Sequence, residues 1–349
     1  MLRLPMVSVL ICTFNSAQVL PNCLRSLFEQ DYASIEVVIV DNASSDGTQE
    51  LLSQFSGRLP HRIVLNDKNV GFSAAQNQAL HLSRGEWVLT LNPDVVLSPN
   101  FISELLQAAH LDPKVGSLCG KLLRWQPGAA PEFTKKIDST GMYFVRNLRH
   151  FDRGSEQPDS GQYESLEYVF GATGAAALFR RAMVEDVSVD AEFFDQDFFA
   201  YREDADLAWR AQLMGWRCLY VPSAIGWHER RVTPARFREL PLSINWHSVK
   251  NRFLMRMKNV SGGTYLRLFI PVTARDLLIV GYCLLADQRL VSAFWFVWKN
   301  RRRTWRKRKQ IQARRRVEEP EIRWWFNDQP TSRAFDKGGP TISVPEQGS

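Results

Sequence analysis

Along the first hundred residues, short runs of branched apolar side chains alternate with stretches whose apolar positions recur every three or four residues. Val7 to Cys12 reads VSVLIC, a continuous apolar run of strand length, and Leu20, Leu24, Leu27 and Phe28 follow at helical spacing. The unit then repeats. Ile35 to Val40 predicts a second buried strand, Asp41 to Gly47 its loop, and Thr48 to Phe55 a helix. Arg62 to Asn66 predicts a third strand, Ala74 to Leu82 a helix, and Trp87 to Leu91 a fourth strand. Alternation of this kind implies the α/β class, with a mostly parallel sheet flanked by helices. Ligands of such sheets bind beyond the carboxyl ends of the strands. Thr13-Phe14-Asn15, Asp41 to Gly47 and Asn92-Pro93-Asp94 are therefore expected to face one crevice.

Farther along, the pattern loosens and then changes character. Residues 125–165 are rich in Gly, Pro and Ser and are expected to form a loop-bearing insertion, after which Tyr168 to Arg180 leads through small residues into an apolar strand. The run FFDQDFFAYREDADLAWRAQLMG passes from an aromatic loop into a helix, with Glu203 or Asp204 near its start and Gly215 as its stop. Arg217 to Val221 predicts another strand, with Trp227-His228 in the loop beyond it. After about residue 240, Leu277 to Ala286 and Leu290 to Trp298 form long apolar runs parted by Asp287, Gln288 and Arg289. Neither reaches the roughly 18 to 20 residues needed to span a bilayer. The expected organisation is a catalytic α/β domain over 1–240, a helical, membrane-associating region with a polybasic segment over 241–316, and a flexible tail over 317–349.

Charge matters here because of where it lies. The net charge is +7, yet residues 299–316 hold 11 Lys or Arg and no acid, leaving 33 basic against 37 acidic side chains elsewhere. One segment makes the protein basic, and beside two apolar helices it predicts contact with a membrane surface through residues 268–316. Five scattered cysteines without paired spacing argue against a disulfide scaffold or a structural zinc site and fit a reducing compartment. No secretory cleavage pattern is evident at the N-terminus, so the expected place is cytoplasmic, peripheral to the inner face of the cell membrane.

In order along the chain stand VSVLICTFN, VIVDNASSDGT, NVGFSAAQNQAL, LNPDVVL, GATGAAALFRR, FFDQDFFAYREDADLAWR and GWH. This ordered set resembles the family-two glycosyltransferases of the GT-A fold, particularly the rhamnosyltransferase-like members that build bacterial surface polysaccharides. The resemblance covers roughly residues 6–256. It implies a Rossmann-like GT-A domain and inverting transfer of rhamnose or another hexose. The implied donor is a dTDP- or UDP-linked sugar, and the implied acceptor a lipid-linked or cell-envelope glycan.

The resemblance also distributes roles. Asp41 matches the Asp that contacts the base, and a carboxylate there can accept from a pyrimidine N–H. Thr13, Asn15 and Asn42 line the same end of the sheet, and Gly71 and Asn77 open a helix that a ligand could approach. Ordinary turn, capping or packing duties are the plain alternative for each. Asn92-Pro93-Asp94 occupies the place of the Asp-X-Asp metal motif with an amide for the first acid, so Asn92 is read as a donor contact and Asp94 as a ligand of Mg2+ or Mn2+. His228 matches the His that completes the metal shell or touches the diphosphate. Glu203-Asp204 matches the acidic pair, with Asp204 as the base and Glu203 as its neighbour or substitute.

Two rival functions remain at this point. A nucleotidyltransferase on a related fold is expected to carry a basic, Gly-rich phosphate loop after the first strand, and Thr13-Phe14-Asn15-Ser16 has no Lys or Arg. A polybasic nucleic-acid-binding protein would account for residues 299–316 alone and leave the acidic crevice unexplained; no nucleic acid partner is expected.

Overall fold

The computed structural model describes residues 4–55, 59–125, 135–230 and 241–335. Strands β1 (Val7–Thr13), β2 (Ile35–Asp41), β3 (His61–Leu65) and β4 (Trp87–Leu91) run parallel in the order β3-β2-β1-β4, joined through α1 (Leu20–Phe28), α2 (Thr48–Ser53) and α3 (Phe72–Leu82). Alternate residues of these strands feed two separate cores. Val9, Ile11, Val37, Ile39 and Leu89 pack on one face with Leu20, Leu24 and Leu27 of α1. Leu10, Val38, Val40 and Val88 pack on the other with Ala75 and Ala79 of α3. Burial on both faces is why β1, β2 and β4 read as largely apolar runs, while the edge strand β3 is only partly buried.

Past Asp94 come β5 (Val95–Leu97), α4 (Phe101–Ala109) and β6 (Val115–Arg124). The stretch expected as a loop-bearing insertion in fact supplies β7 (Ile137–Ser139), β8 (Met142–Phe144) and β9 (His150–Asp152), while residues 126–134 lie outside the described residues. Next are β10 (Glu167–Val169), β11 (Ala176–Arg180), α5 (Arg181–Val187), α6 (Glu203–Leu213) and β12 (Arg217–His228). β11 lies antiparallel between β4 and β6, and β12 runs parallel to β6. The expectation that this last strand ends at Val221 is corrected. A register shift between Val221 and Ile225 carries the strand past Pro222, and its end pairs antiparallel with β5, His228 opposite Val95.

The C-terminal part comprises α7 (Leu242–Asn259), α8 (Gly262–Arg267), α9 (Phe269–Leu285), α10 (Ser292–Lys299), α11 (Arg301–Ala313), α12 (Glu319–Trp324) and β13 (Arg333–Ala334). Residues 317–335, expected within a flexible tail, are folded onto the body. β13 joins the sheet edge beside β10, and Trp325 and Phe326 bury against Phe170, with Phe326 also reaching Trp209. Burying two large aromatic rings outweighs the Pro and Gly content that suggested mobility. Residues 336–349 of the expected tail lie outside the described residues. Among the described residues no helix is long and apolar enough to cross a membrane.

The polybasic stretch is also more tightly held than its composition implies. Lys307 of α11 is buried and bonds Glu192 at 2.8 Å and Asp195 at 2.7 Å. Arg306 pairs with Asp190 and Arg316 with Asp186, and Arg308 donates to the carbonyls of Met257 and Val260. Much of the charge is thus neutralised within the chain.

Candidate active site

The loops after β1 and β2 are knitted into one surface. Asp41 is fully buried, and its carboxylate accepts from Thr13 Oγ1 (2.7 Å), Ser44 Oγ (2.6 Å), Ser44 N (2.9 Å) and Gln49 Nε2 (2.9 Å). Burial alone lifts this carboxyl, but the donors from Ser44, Thr13 and Gln49 outweigh it and hold it below its ordinary value. About four acceptor sites exist on a carboxylate, and all four are filled here. A base N–H can therefore reach Asp41 only by displacing one donor, and Gln49, which the sequence reading missed, is the one on a long side chain with several rotatable bonds. Asn15 stands exposed with φ 49°, its Oδ1 accepting from Ser45 N at 2.9 Å.

Three expected donor contacts are engaged by the protein itself. Asn77 spends its whole amide on one backbone position, donating to Phe194 O (2.7 Å) and accepting from Phe194 N (3.0 Å). Asn42 is buried, bonded to Gly71 O and to Asn66. Gly71, with φ +89°, leaves room for Phe199, whose ring carbon would lie 2.5 Å from an added Cβ. Donation from Ser73 N to Phe199 O (3.0 Å) then occupies part of the α3 N-terminus. These residues shape the crevice from behind; tertiary partners so distant leave no local trace in sequence.

Asp94 and His228 do meet. Antiparallel pairing of β5 with the end of β12 brings the two together, with Glu229 N donating to Asp94 O at 2.9 Å. His228 Nε2 lies 3.4 Å from Asp94 Oδ1, and His228 Nδ1 lies 2.8 Å from Asp138 Oδ2. Burial pulls the imidazolium down, but Asp138 and Asp94 outweigh it and raise the pKa to about 9. Asp138, absent from the sequence reading, is buried and also bonds Arg124 at 2.8 Å and Arg230 at 3.4 Å. It fixes the ring as carboxylates behind metal-binding imidazoles do.

Does this corner suit a divalent ion? Asp94 Oδ1 is buried and faces the His228 imidazole nitrogen across the 3.4 Å just given, a proton-sharing pair that a cation would replace by displacing the proton. Ligands in neighbouring positions about 2.1 Å from one cation lie roughly 3 Å apart, so the pair fits with little adjustment. Among the described residues no group of three or more His, Cys, Asp or Glu could hold a metal. Such an ion must draw its remaining oxygens from water and the donor's phosphates.

Glu203 and Asp204 begin α6 after a backbone under strain, with positive φ at Phe199 (66°), Tyr201 (70°) and Arg202 (70°). Helix α7 holds this loop. Asn251 Nδ2 lies 3.0, 2.8 and 2.7 Å from the carbonyls of Phe198, Ala200 and Tyr201, and Lys250 Nζ donates to Asp197 O at 2.6 Å. Asp204 accepts from Gly174 N (3.1 Å) and Ala205 N (2.7 Å). Burial raises both carboxyls; Asp204 lifts Glu203, whose Oε2 is buried and unpartnered, further, whereas Asp204, raised also by Asp152, is favoured in its charged form by the backbone N–H groups of Gly174 and Ala205. Ala175, next to Gly174, accepts from Asn92 N at 2.8 Å, which sets the acidic pair and the Asn92-Pro93-Asp94 turn against one segment.

Known proteins resemble this chain in sequence and in fold. The family model described as glycosyl transferase family 2 matches residues 8–188. An N-acetylglucosaminyl-diphospho-decaprenol L-rhamnosyltransferase of Mycobacterium tuberculosis is 31% identical over 252 residues, covering 67% of this chain and 78% of the relative. A solved mannosyltransferase from Pyrobaculum calidifontis, in complex with GDP-Man and Mn2+, superposes with a TM-score of 0.52 at 18% identity over 93% of this chain and 84% of its own. Staphylococcus aureus TarS in complex with UDP-GlcNAc gives a TM-score of 0.53 at 15% identity, over 88% of this chain and 90% of its own. Those two likenesses establish the shared GT-A architecture. Taken with the family match and the mycobacterial relative, they lead to one conclusion: the chain belongs to glycosyl transferase family 2.

Proposed function

We propose that this glycosyltransferase moves a hexose, rhamnose being the first candidate, with inversion from a dTDP- or UDP-linked donor to the saccharide of a lipid-linked acceptor. The observation that carries this reading is the placement of Asp204 at Gly174, one residue from the segment that bonds the Asn92-Pro93-Asp94 turn. In this reading Asp204 takes the proton of an acceptor hydroxyl as the sugar leaves its diphosphate. Glu203, lifted by burial, stays protonated beside it and leaves Asp204 as the charged member. Asp94 and His228 would hold Mg2+ or Mn2+, whose charge offsets that developing on the leaving diphosphate. Asp41, Thr13 and Asn15 form the floor and rim on which a pyrimidine nucleotide rests, with Gln49 as the donor that yields. The acceptor suggestion draws on the mycobacterial relative, named for a diphospho-decaprenol substrate.

Membrane contact belongs to the same proposal. Ile270 is 79% exposed, Leu277 and Leu278 67%, Leu285 90% and Trp295 62%, on neighbouring helices α9 and α10. An apolar surface of this kind, with tryptophans stacked at 4.7 Å (Trp295 on Trp298), suits the interfacial zone at the inner face of the cell membrane. The ion pairing of α11 weighs against nucleic acid as its partner. A transfer assay with dTDP-rhamnose, UDP-sugars and a lipid-diphosphate GlcNAc acceptor tests the reading. Product that forms with Mg2+ or Mn2+ and disappears with EDTA is expected; transfer undiminished by EDTA overturns the metal role.

A further inference from the structure

Five arginines outside the donor crevice gather beside the acidic pair. Arg202 immediately precedes Glu203, Arg149 lies just before β9, Arg252 and Arg256 belong to α7, and Arg275 belongs to α9. Arg202 Nη1 is 3.3 Å from His150 Nδ1, and Arg252 Nη2 donates to Asn147 O at 3.1 Å, which ties α7 and the catalytic loop to the same β8–β9 turn. Burial and the neighbouring guanidinium charges disfavour these cations: Arg202 is pushed down to about 9 and Arg252 to about 10, and Arg149 is lowered by burial and by Arg275. Burial, then Arg202 and Arg149, also holds His150 neutral. Direct ion pairing within the cluster comes from Asp276, 3.3 Å from Arg252 Nε and 2.6 Å from Arg256 Nη2. Donors are left over. Nε and Nη1 of Arg256, whose side chain is 9% exposed, and Nε of Arg202 and of Arg275 are buried without a hydrogen-bond partner.

Cations that repel one another and keep unfilled N–H groups are completed by an anion, and guanidinium forks match phosphate oxygens in pairs. Which anion is indicated by α9. The helix that carries Arg275 and Asp276 into the cluster also carries the exposed Ile270, Leu277 and Leu278. We propose that Arg149, Arg202, Arg252, Arg256 and Arg275 form the subsite for the diphosphate of a lipid-linked acceptor, with its hydrocarbon chain along α9 and its sugar at Asp204. This assignment rests on the acceptor reading above and adds the residues that recognise it.

Farnesyl diphosphate, farnesol and phosphatidylglycerol vesicles serve as probes, titrated against the full chain in EDTA so that metal-dependent diphosphate binding in the donor crevice is suppressed. Farnesyl diphosphate is expected to bind at least about tenfold more tightly than farnesol, and Arg275→Gln and Arg149→Gln are each expected to weaken it by about tenfold or more. Farnesol binding should not move in either variant. Both positions are half-buried, so two independent substitutions guard against a folding defect. Wild-type affinity in both variants overturns the proposal. So does binding that needs Mg2+ and is displaced by UDP, which returns the diphosphate to the donor crevice, or equal competition by phosphatidylglycerol, which assigns the cluster to bilayer headgroups. No sugar is transferred in this measurement, so its failure is distinct from failure of the transferase reading.

Discussion

Glu203 and Asp204 are adjacent in sequence, yet one is left with an unpartnered buried oxygen and the other receives two backbone N–H bonds. The stability consequence of Glu203 has a definite sign. Its folded pKa is raised above the ordinary 4.5, so its stabilising contribution is complete below that value and is lost as pH rises through the raised one. Gln in its place stays neutral throughout. The melting temperature of Glu203→Gln should therefore gain on wild type between about pH 5 and about pH 8; parallel curves would sink the assignment. Asp94 and Asn92 provide a second contrast. Asp94 presents a buried carboxylate oxygen to His228 at 3.4 Å, whereas Asn92 is engaged through its backbone to Ala175. Measured at saturating donor with Mn2+, Asp94→Ala should lower transfer by about 100-fold or more, and Asn92→Ala by about tenfold at most. Equal losses would mean that Asp94 is no special ligand.

Elements decide which of these residues meet. The bulge after Val221 lets β12 outrun its expected end and pair with β5, and this pairing is what closes the distance between His228 and Asp94. Helix α7 does the corresponding work for the acidic pair through Asn251. An amide has two N–H donors for the three carbonyls around it; removing it frees strained backbone at Tyr201 and Arg202. Asn251→Ala should cost about 1–3 kcal/mol of stability. As a positioning change it should also lower kcat several-fold with donor KM little altered; steady-state kinetics in which KM alone moves would contradict this. What was legible in sequence follows the same lines. The parallel strands could be read because both faces are buried, and the loops after β1, β2 and β4 could be placed because polar residues follow those runs directly. Asp138 could not, since β7 is three residues long inside a Gly-rich and Pro-rich stretch and carries no period. Asn251 sits in a helix whose buried face includes Lys250, Arg252, Arg256 and Lys258, so no apolar stripe marked it. The tertiary partners of Asn42, Gly71 and Asn77, namely Asn66, Phe199 and Phe194, are invisible from the local pattern.

Across the whole molecule, the residues proposed for nucleotide, metal and base follow β1, β2 and β4 or begin α6, while α9 and α10 present apolar side chains outward. The arginine cluster joins Arg202, next to the acidic pair, to Asp276 of α9 through Arg252 and Arg256 of α7, so the proposal gives donor, acceptor diphosphate and hydrocarbon chain separate places. In α11, Lys307 is turned inward onto Glu192 and Asp195 and Arg306 pairs with Asp190, while Arg301, Arg302 and Lys309 stay exposed; under the proposed membrane contact, the apolar side chains of α9 and α10 are the part to test first. Exchange of Ile270, Leu277 and Leu278 for Ser should accordingly release the chain from anionic and neutral vesicles alike in a flotation assay; release from anionic vesicles alone would point to charge instead. In the proposed reaction, proton removal falls to one carboxylate, Asp204. The most direct measurement is single-turnover transfer by Asp204→Asn with donor affinity measured alongside. The predicted result is a rate lower by about 10²- to 10⁴-fold with donor affinity retained, and transfer near the wild-type rate would contradict it.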